Sequence, residues 1–314
     1  ENVLWLRGDA GITTSGTDVT DWADQSGNTN NVSENGSAPS LTSSGLNGID
    51  VVTFDGSAGE YLENASTTFL TGADALTMLA IVQTDSAPQD IAFLDADDDG
   101  PDGSDDNPNF RPDEVGANSN REDIFKFGIT TDSGNQALES SEQVGTLDVQ
   151  DTSGSTYTRL YATQWDSGTD LRFFLNALED NATNGTSANG TTTNGPDINN
   201  AAASGTLINS DRILLGNGTK GTLGTEGWTG DIAEVIVFRS ALNDAQRRLI
   251  NTYLKEKYGF STDAAAEVES YAFGAAYFDD FAGLGRVDAS NEHTDAQSDA
   301  LRLLSPQGLN DGEF

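Results

Sequence analysis

Gly230-Asp231-Ile232-Ala233-Glu234-Val235-Ile236-Val237-Phe238, followed across Arg239-Ser240 by Ala241-Leu242-Asn243-Asp244-Ala245-Gln246, is the stretch that decides the fold. Asp231–Phe238 alternates apolar and polar positions, the two-residue period of a half-buried strand. The period then changes. Asn243 is placed to cap a helix, and Gln246 three residues later completes a capping box. Leu249, Ile250, Tyr253 and Leu254 recur on one face, so a helix is predicted over about 243–258 with that stripe packed on a sheet. Lys255 and Lys257 suit the negative end of the helix dipole, and Gly259 suits its left-handed close.

Working outward, short β-like runs separated by Gly, Asn, Asp and Ser dominate the chain. They are predicted at Val3–Arg7, Asp50–Phe54, Leu76–Gln83, Ile91–Leu94, Ile124–Thr130, Arg159–Thr163, Leu171–Leu175, Arg212–Gly216 and Asp231–Phe238. One helix against so many strands makes the class all-β, and the long loops between strands are where binding is expected. After Gly259 the character changes. Thr262–Ser270 reads as a linker or short helix, and Phe273, Tyr277, Phe278 and Phe281 crowd a glycine-rich stretch. Two units are therefore expected: a sandwich over 1–262, and a linker with a partial small β module or assembly tail over 263–314.

Three segments carry a resemblance. Leu4-Trp5-Leu6-Arg7-Gly8-Asp9-Ala10-Gly11 with Val19-Thr20-Asp21-Trp22-Ala23-Asp24-Gln25-Ser26-Gly27-Asn28 is the first. Val51-Val52-Thr53-Phe54-Asp55-Gly56 with Tyr61-Leu62 is the second, and the strand–helix junction above is the third. Their order resembles the laminin-G-like (concanavalin A-like) jelly-roll domains of bacterial surface and secreted proteins. Residues 273–290 resemble the β-rich module that often follows this sandwich in large adhesin-like proteins. The resemblance implies two packed antiparallel sheets with rim loops that bind glycans, proteins or calcium. It implies no reaction, because fold alone does not assign one.

Composition narrows the function. Fifteen Lys and Arg stand against 51 Asp and Glu, a formal net charge of −36 on 314 residues, and only Lys126, Lys220, Lys255 and Lys257 are lysines. Such self-repulsion is relieved where salt or divalent cations screen it, since the Debye length is roughly 10 Å at 0.1 M salt. This bias resembles adaptation to high salt. It leaves no basic stripe for nucleic acid. The chain has no cysteine, which removes disulfides, thiol catalysis and thiolate metal sites. No apolar run reaches the roughly 18–20 residues of a membrane span, and no signal peptide is seen. Residue 1 opens a strand-like segment, so a mature or trimmed product on the outside of a cell is expected.

Asp95-Ala96-Asp97-Asp98-Asp99-Gly100 through Asp106 has the spacing of a calcium loop, with Asp95, Asp97 and Asp99 at positions 1, 3 and 5, Gly100 at 6 and Asp106 at 12. Glu is usual at position 12 and no helices flank the loop, so a free-standing calcium loop is predicted, with calcium as the cofactor. Trp22, Trp165 and Trp228 lie next to loops and are candidates for stacking on sugar rings, whereas Trp5 reads as core. Sequons stand at Asn31, Asn35, Asn64, Asn181, Asn184, Asn189 and Asn217, with the crowded 181–195 stretch read as an exposed loop. Catalysis finds little support. The one histidine, His293, lies in the polar tail, and the Glu-x-Asp-x-x-Glu pattern of sandwich glycosidases is absent. Asp231 and Glu234, three apart, belong on opposite faces of a regular strand. The expectation is a non-catalytic, extracellular adhesion or filament-forming module, calcium-stiffened and salt-adapted, binding glycans, a surface protein or copies of itself. The alternatives are a lectin-like glycan-binding module of a secreted protein and a polysaccharide-active enzyme.

Overall fold

The computed structural model describes residues 2–57, 59–65, 68–84, 94–95, 109–113, 124–141, 143–149, 156–186, 197–199, 204–208, 212–218, 227–268, 284–297, 302–305 and 308–311. Its strands form two antiparallel layers joined at one corner. In the first layer Ala75–Thr84 lies between Thr229–Phe238 and Tyr157–Asp166, and Asp170–Leu175 and Leu178–Glu179 extend it on one side. On the other side Thr229–Phe238 takes two partners end to end, Asn2–Arg7 and Ile49–Asp55. Ser40–Leu46 then pairs with Ile49–Asp55.

The second layer runs Ile12–Ser15, Asp18–Trp22, Val32–Glu34, Leu62–Asn64, Ile213–Leu215, Leu94–Asp95, Asn109–Asp113, Ile124–Thr131, Gly134–Glu139 and Asp197–Asn199. The single pair Asp18–Ser40 links the layers. Leu4, Leu6, Val52, Phe54, Met78, Ala80, Val82, Phe173 and Val235 from the first layer meet Trp22, Val32, Leu62, Phe125, Phe127, Leu138 and Leu215 from the second in one core. This is the expected all-β sandwich. The first layer keeps a second apolar patch on its other face. There Leu79, Ile81, Leu160, Ala162, Phe174, Ala233 and Ile236 pack under Leu242, Tyr253, Leu254, Tyr258 and Phe260 of the helical segment. Burying an aliphatic or aromatic side chain of this kind stabilises by about 1.5–3 kcal/mol, which is why the helix stays on the sheet.

The helix is Asp244–Tyr258, with both bonds of the predicted capping box formed between Asn243 and Gln246. Gly259 closes it at φ 67°, its N–H donating to the Lys255 carbonyl at 2.8 Å. Residues past the expected boundary remain on the sandwich. Ala266 packs against the main core and the Glu267 N–H donates to the Ala177 carbonyl. Further on, the hairpin Gly285–Asp288 and Asn291–His293 sits on the helix N-terminus. Asn243 Nδ2 donates to the Glu292 carbonyl at 3.2 Å, and the Asp244 N–H donates to Asn291 Oδ1 at 3.3 Å. This part of the tail is covered by its own sandwich, not held out for a neighbour. The aromatic cluster Phe273–Phe281 lies outside the described residues.

Two local features shape the strand that opened the sequence argument. Its register slips between Ile232, opposite Val82, and Glu234, opposite Ile81. The slip is a bulge, and bulges turn two successive side chains toward one face. Ala233 and Glu234 both face the helix, while Ile232 and Val235 face the main core. The expected opposition of Asp231 and Glu234 is thereby overturned: the bulge puts both on the helix-side face. At the same level Gly8 donates its N–H to the Ala233 carbonyl at 2.8 Å. A Cβ at Gly8 would lie 2.0 Å from the Asp50 carbonyl oxygen, so only glycine lets the two end-to-end partner strands meet here.

Candidate functional site

The three tryptophans expected to stack on sugars are all interior. Trp22, Trp165 and Trp228 are at most 2% exposed, and Trp22 Nε1 donates to the Arg7 carbonyl at 2.8 Å. Next to a loop in sequence, each faces the core in space, so none offers a ring to a ligand. Trp5, expected in the core, is half-buried on the helix side, edge-on to Tyr253 with Arg7 over its ring. Of the calcium residues, Asp97, Asp99 and Asp106 lie outside the described residues. Asp95 occupies a strand position paired with Asn109 and Leu214.

Among the sequons, Asn31 and Asn35 are exposed and Asn64, Asn181 and Asn184 half-buried, whereas Asn189 lies outside the described residues. Asn217 is fully buried and donates through Nδ2 to the Glu60 carbonyl at 3.2 Å. Glycosylation at Asn217 is incompatible with this packing. The 181–186 stretch is a turn in which Asn181 Oδ1 accepts from the N–H groups of Thr183 and Asn184, leading into Gly185–Thr186.

Two polar constellations emerge instead on the helix-side face, and the bulge positions the first. Glu234 and Lys257 are wholly buried, with Nζ and Oε2 2.8 Å apart. Tyr258 donates to Glu234 Oε2 at 2.6 Å, Tyr253 to Oε1 at 3.0 Å, and Trp5 Nε1 to Oε1 at 2.7 Å. Lys257 Nζ also reaches Asp9 Oδ1 at 2.7 Å, and Arg7 holds the same carboxylate through two N–H donors. Burial alone would raise the Asp9 pKa, but the bonds from Arg7 and Lys257 outweigh it and hold it down at about 2. Burial, then the Glu234 charge, pushes both tyrosine hydroxyls well above their ordinary range. This is a closed latch. Every lobe of Glu234 is engaged, so it is poorly placed as a general acid or nucleophile.

The second constellation lies one row beyond the apolar patch. Ser40, Thr53, Asp231, Gln83 and Thr158 stand opposite one another on five successive strands, in register. All five are half-buried. Thr53 Oγ1 donates to Asp231 Oδ1 at 2.6 Å, shares a 2.7 Å contact with Thr42 Oγ1, and Gln83 Nε2 donates to Thr158 Oγ1 at 3.1 Å. Adjacent strands are about 4.8 Å apart, so the row spans roughly 19 Å. Its neighbours one row on are Val51, Ala233, Ile81 and Leu160, all buried under the helical segment. The helix and the turn after it cover the apolar rows and stop short of the polar one. Sequence reading missed this row because its five members come from five distant segments, each carrying one ordinary polar residue. The alternation of each strand was the only signal available.

No protein-family model matches the chain, and no curated protein sequence matches it. Among solved structures it resembles the binding domain of botulinum neurotoxin serotype G, with a TM-score of 0.52 and 10% identity over 97% of this chain and 65% of that one. The fold is shared; the sequence is not. The binding domain of botulinum neurotoxin DC in complex with SialylT gives a TM-score of 0.51 at 9% identity, covering 96% of this chain and 72% of that one. The binding domain of Paraclostridial mosquitocidal protein 1 gives a TM-score of 0.49 at 10% identity over 82% of this chain. The chain spans 55% of that domain's length. Among the described residues no helix is long and apolar enough to cross a membrane.

Proposed function

We propose that this chain is a non-catalytic glycan-binding module of a secreted or surface protein, of laminin-G-like type, and that its ligand lies on the row Ser40, Thr53, Asp231, Gln83 and Thr158. The observation that carries the reading is the row itself: hydroxyl, carboxylate and amide groups from five strands aligned on one face, beside an apolar patch that is already covered. Sugar hydroxyls both donate and accept, and such a mixed set matches them. The likeness of fold to toxin binding domains, one of them in complex with SialylT, supports a binding role. A catalytic role is less well supported, because Glu234 on the same face is closed into its latch with Lys257.

A glycan array read in molar salt, followed by titration calorimetry on Asp231→Asn and Gln83→Ala, tests the reading. Binding that both substitutions weaken is the expected result. Absence of any glycan binding would remove the proposal. Calcium at Asp95, Asp97, Asp99 and Asp106 belongs to the same reading as a stiffener of a rim loop. Its check is calorimetry with calcium on the intact chain against Asp97→Ala and Asp99→Ala, where the calcium heat should fall in both.

A further inference from the structure

Resting on the glycan-binding reading, we infer that the ligand is an uncharged oligosaccharide lying across the strands, and that sugars carrying carboxylates are rejected. The middle position of the row is Asp231, flanked by Thr53 on one side and Gln83 on the other. The side chains of the row include one carboxylate and no cation. A carboxylate accepts several hydrogen bonds at once, and the hydroxyls of a neutral sugar supply donors in pairs. Gln83 gives one amide proton to Thr158, and a side-chain amide has a second N–H and a carbonyl oxygen with which to meet a ring hydroxyl. Ser40, Thr42, Thr53 and Thr158 add hydroxyls that turn to suit either partner.

An acidic sugar in the same place brings a second negative charge to within about 5 Å of Asp231. At the effective dielectric of a protein surface that repulsion weakens binding on the order of a hundredfold at low salt. In molar salt, where the Debye length is about 3 Å, the penalty shrinks toward tenfold. The net charge of −36 adds a long-range barrier to anionic ligands that also fades with salt. The nearest cations on this face do not relieve it, because Arg7 and Lys257 are both committed to Asp9. The row also lacks the buried aromatic or Arg anchor that a protein partner would require. The alignment across five strands, not along one, sets the direction of the ligand and favours a chain of several sugar units over a monosaccharide.

The test measures binding of the intact chain to matched neutral and uronic-acid- or sialic-acid-containing oligosaccharides, at low and at molar salt, for the natural sequence and for Asp231→Asn. Neutral oligosaccharides should bind at least tenfold more tightly than acidic ones, and Asp231→Asn should narrow that gap by weakening the first and admitting the second. The melting temperature of the variant, isosteric and still able to accept from Thr53, reports that the sheet is intact. Acidic oligosaccharides binding as tightly as neutral ones in the natural protein would overturn the inference and leave the glycan-binding reading standing. Neutral binding indifferent to both Asp231→Asn and Gln83→Ala would overturn the placement on the row. No binding to either class would overturn the glycan-binding reading and this inference with it.

Discussion

Replacing Lys257 by Met should destabilise the protein by about 3 kcal/mol, and the structure supplies the reasons. Lys257 Nζ is fully buried between Glu234 Oε2 at 2.8 Å and Asp9 Oδ1 at 2.7 Å. Methionine keeps most of the hydrocarbon stem and removes the charge. Asp9 keeps its two bonds from Arg7, so most of the cost falls on Glu234. Stripping one partner from a buried ion pair costs about 3–5 kcal/mol. Tyr253, Tyr258 and Trp5 still donate to the carboxylate, which places the effect near the lower end. Loss of the ammonium contacts with the rings of Tyr253 and Tyr258, 5.4 and 5.1 Å away, adds about 0.5–1 kcal/mol. Against a total stability of about 5–15 kcal/mol this is a large fraction. The assay is urea denaturation in high salt, with Lys255→Met as control. Lys255 removes the same charge from the same helix end and should cost no more than about 0.5 kcal/mol. Adding Glu234→Gln to Lys257→Met should recover stability, because a neutral amide is cheaper to bury than an unpaired carboxylate. If Lys257→Met and Lys255→Met lose the same stability, or if the double variant is weaker than Lys257→Met alone, the latch does not hold the helix as argued.

The net charge of −36 predicts a melting temperature that climbs from low to molar monovalent salt; a flat profile would refute salt adaptation. Glu60 is buried beside Asp55, whose N–H it accepts at 2.7 Å; burial, then the Asp55 carboxylate, pushes its pKa from 4.5 to about 7. A folded pKa raised above the unfolded one means stability is fully present below about 4.5 and is lost as pH rises through about 7. Glu60→Gln should therefore flatten that decline and melt higher than the natural protein above pH 7, as read by thermal scans across the range. Asp180, buried and accepting from the N–H and hydroxyl of Ser141, is raised by burial to about 6 and should add a smaller slope of the same sign, removed in Asp180→Asn.

How much of this was readable in advance divides by the range of the interaction. The helix, its cap and its closing glycine were legible because capping and periodicity act within a few residues: Asn243, Gln246 and Gly259 do what their types and spacing require. The long strands were legible from alternation in Asp231–Phe238 and Leu76–Gln83. The second layer was harder. Ile12–Ser15 and Ser40–Leu46 are rich in Thr and Ser with few apolar residues, and they are strands because longer neighbours offer them an edge to pair with. Trp22, Trp165 and Trp228 look alike in sequence to surface aromatics beside loops, and only the sandwich turns them inward.

By itself, the sequence determined the all-β class, the single capped helix against the sheet, the acidic surface and the absence of thiol chemistry, since each depends on composition or on neighbours a few residues away. Tertiary structure alone decided that a one-residue bulge turns Glu234 toward Lys257, residues separated by 23 positions, and that Asp9 comes from the far end of the chain to join them. It alone decided that Ser40, Thr53, Asp231, Gln83 and Thr158 share a row, because register between strands distant in sequence is set by burial of the apolar rows beside them.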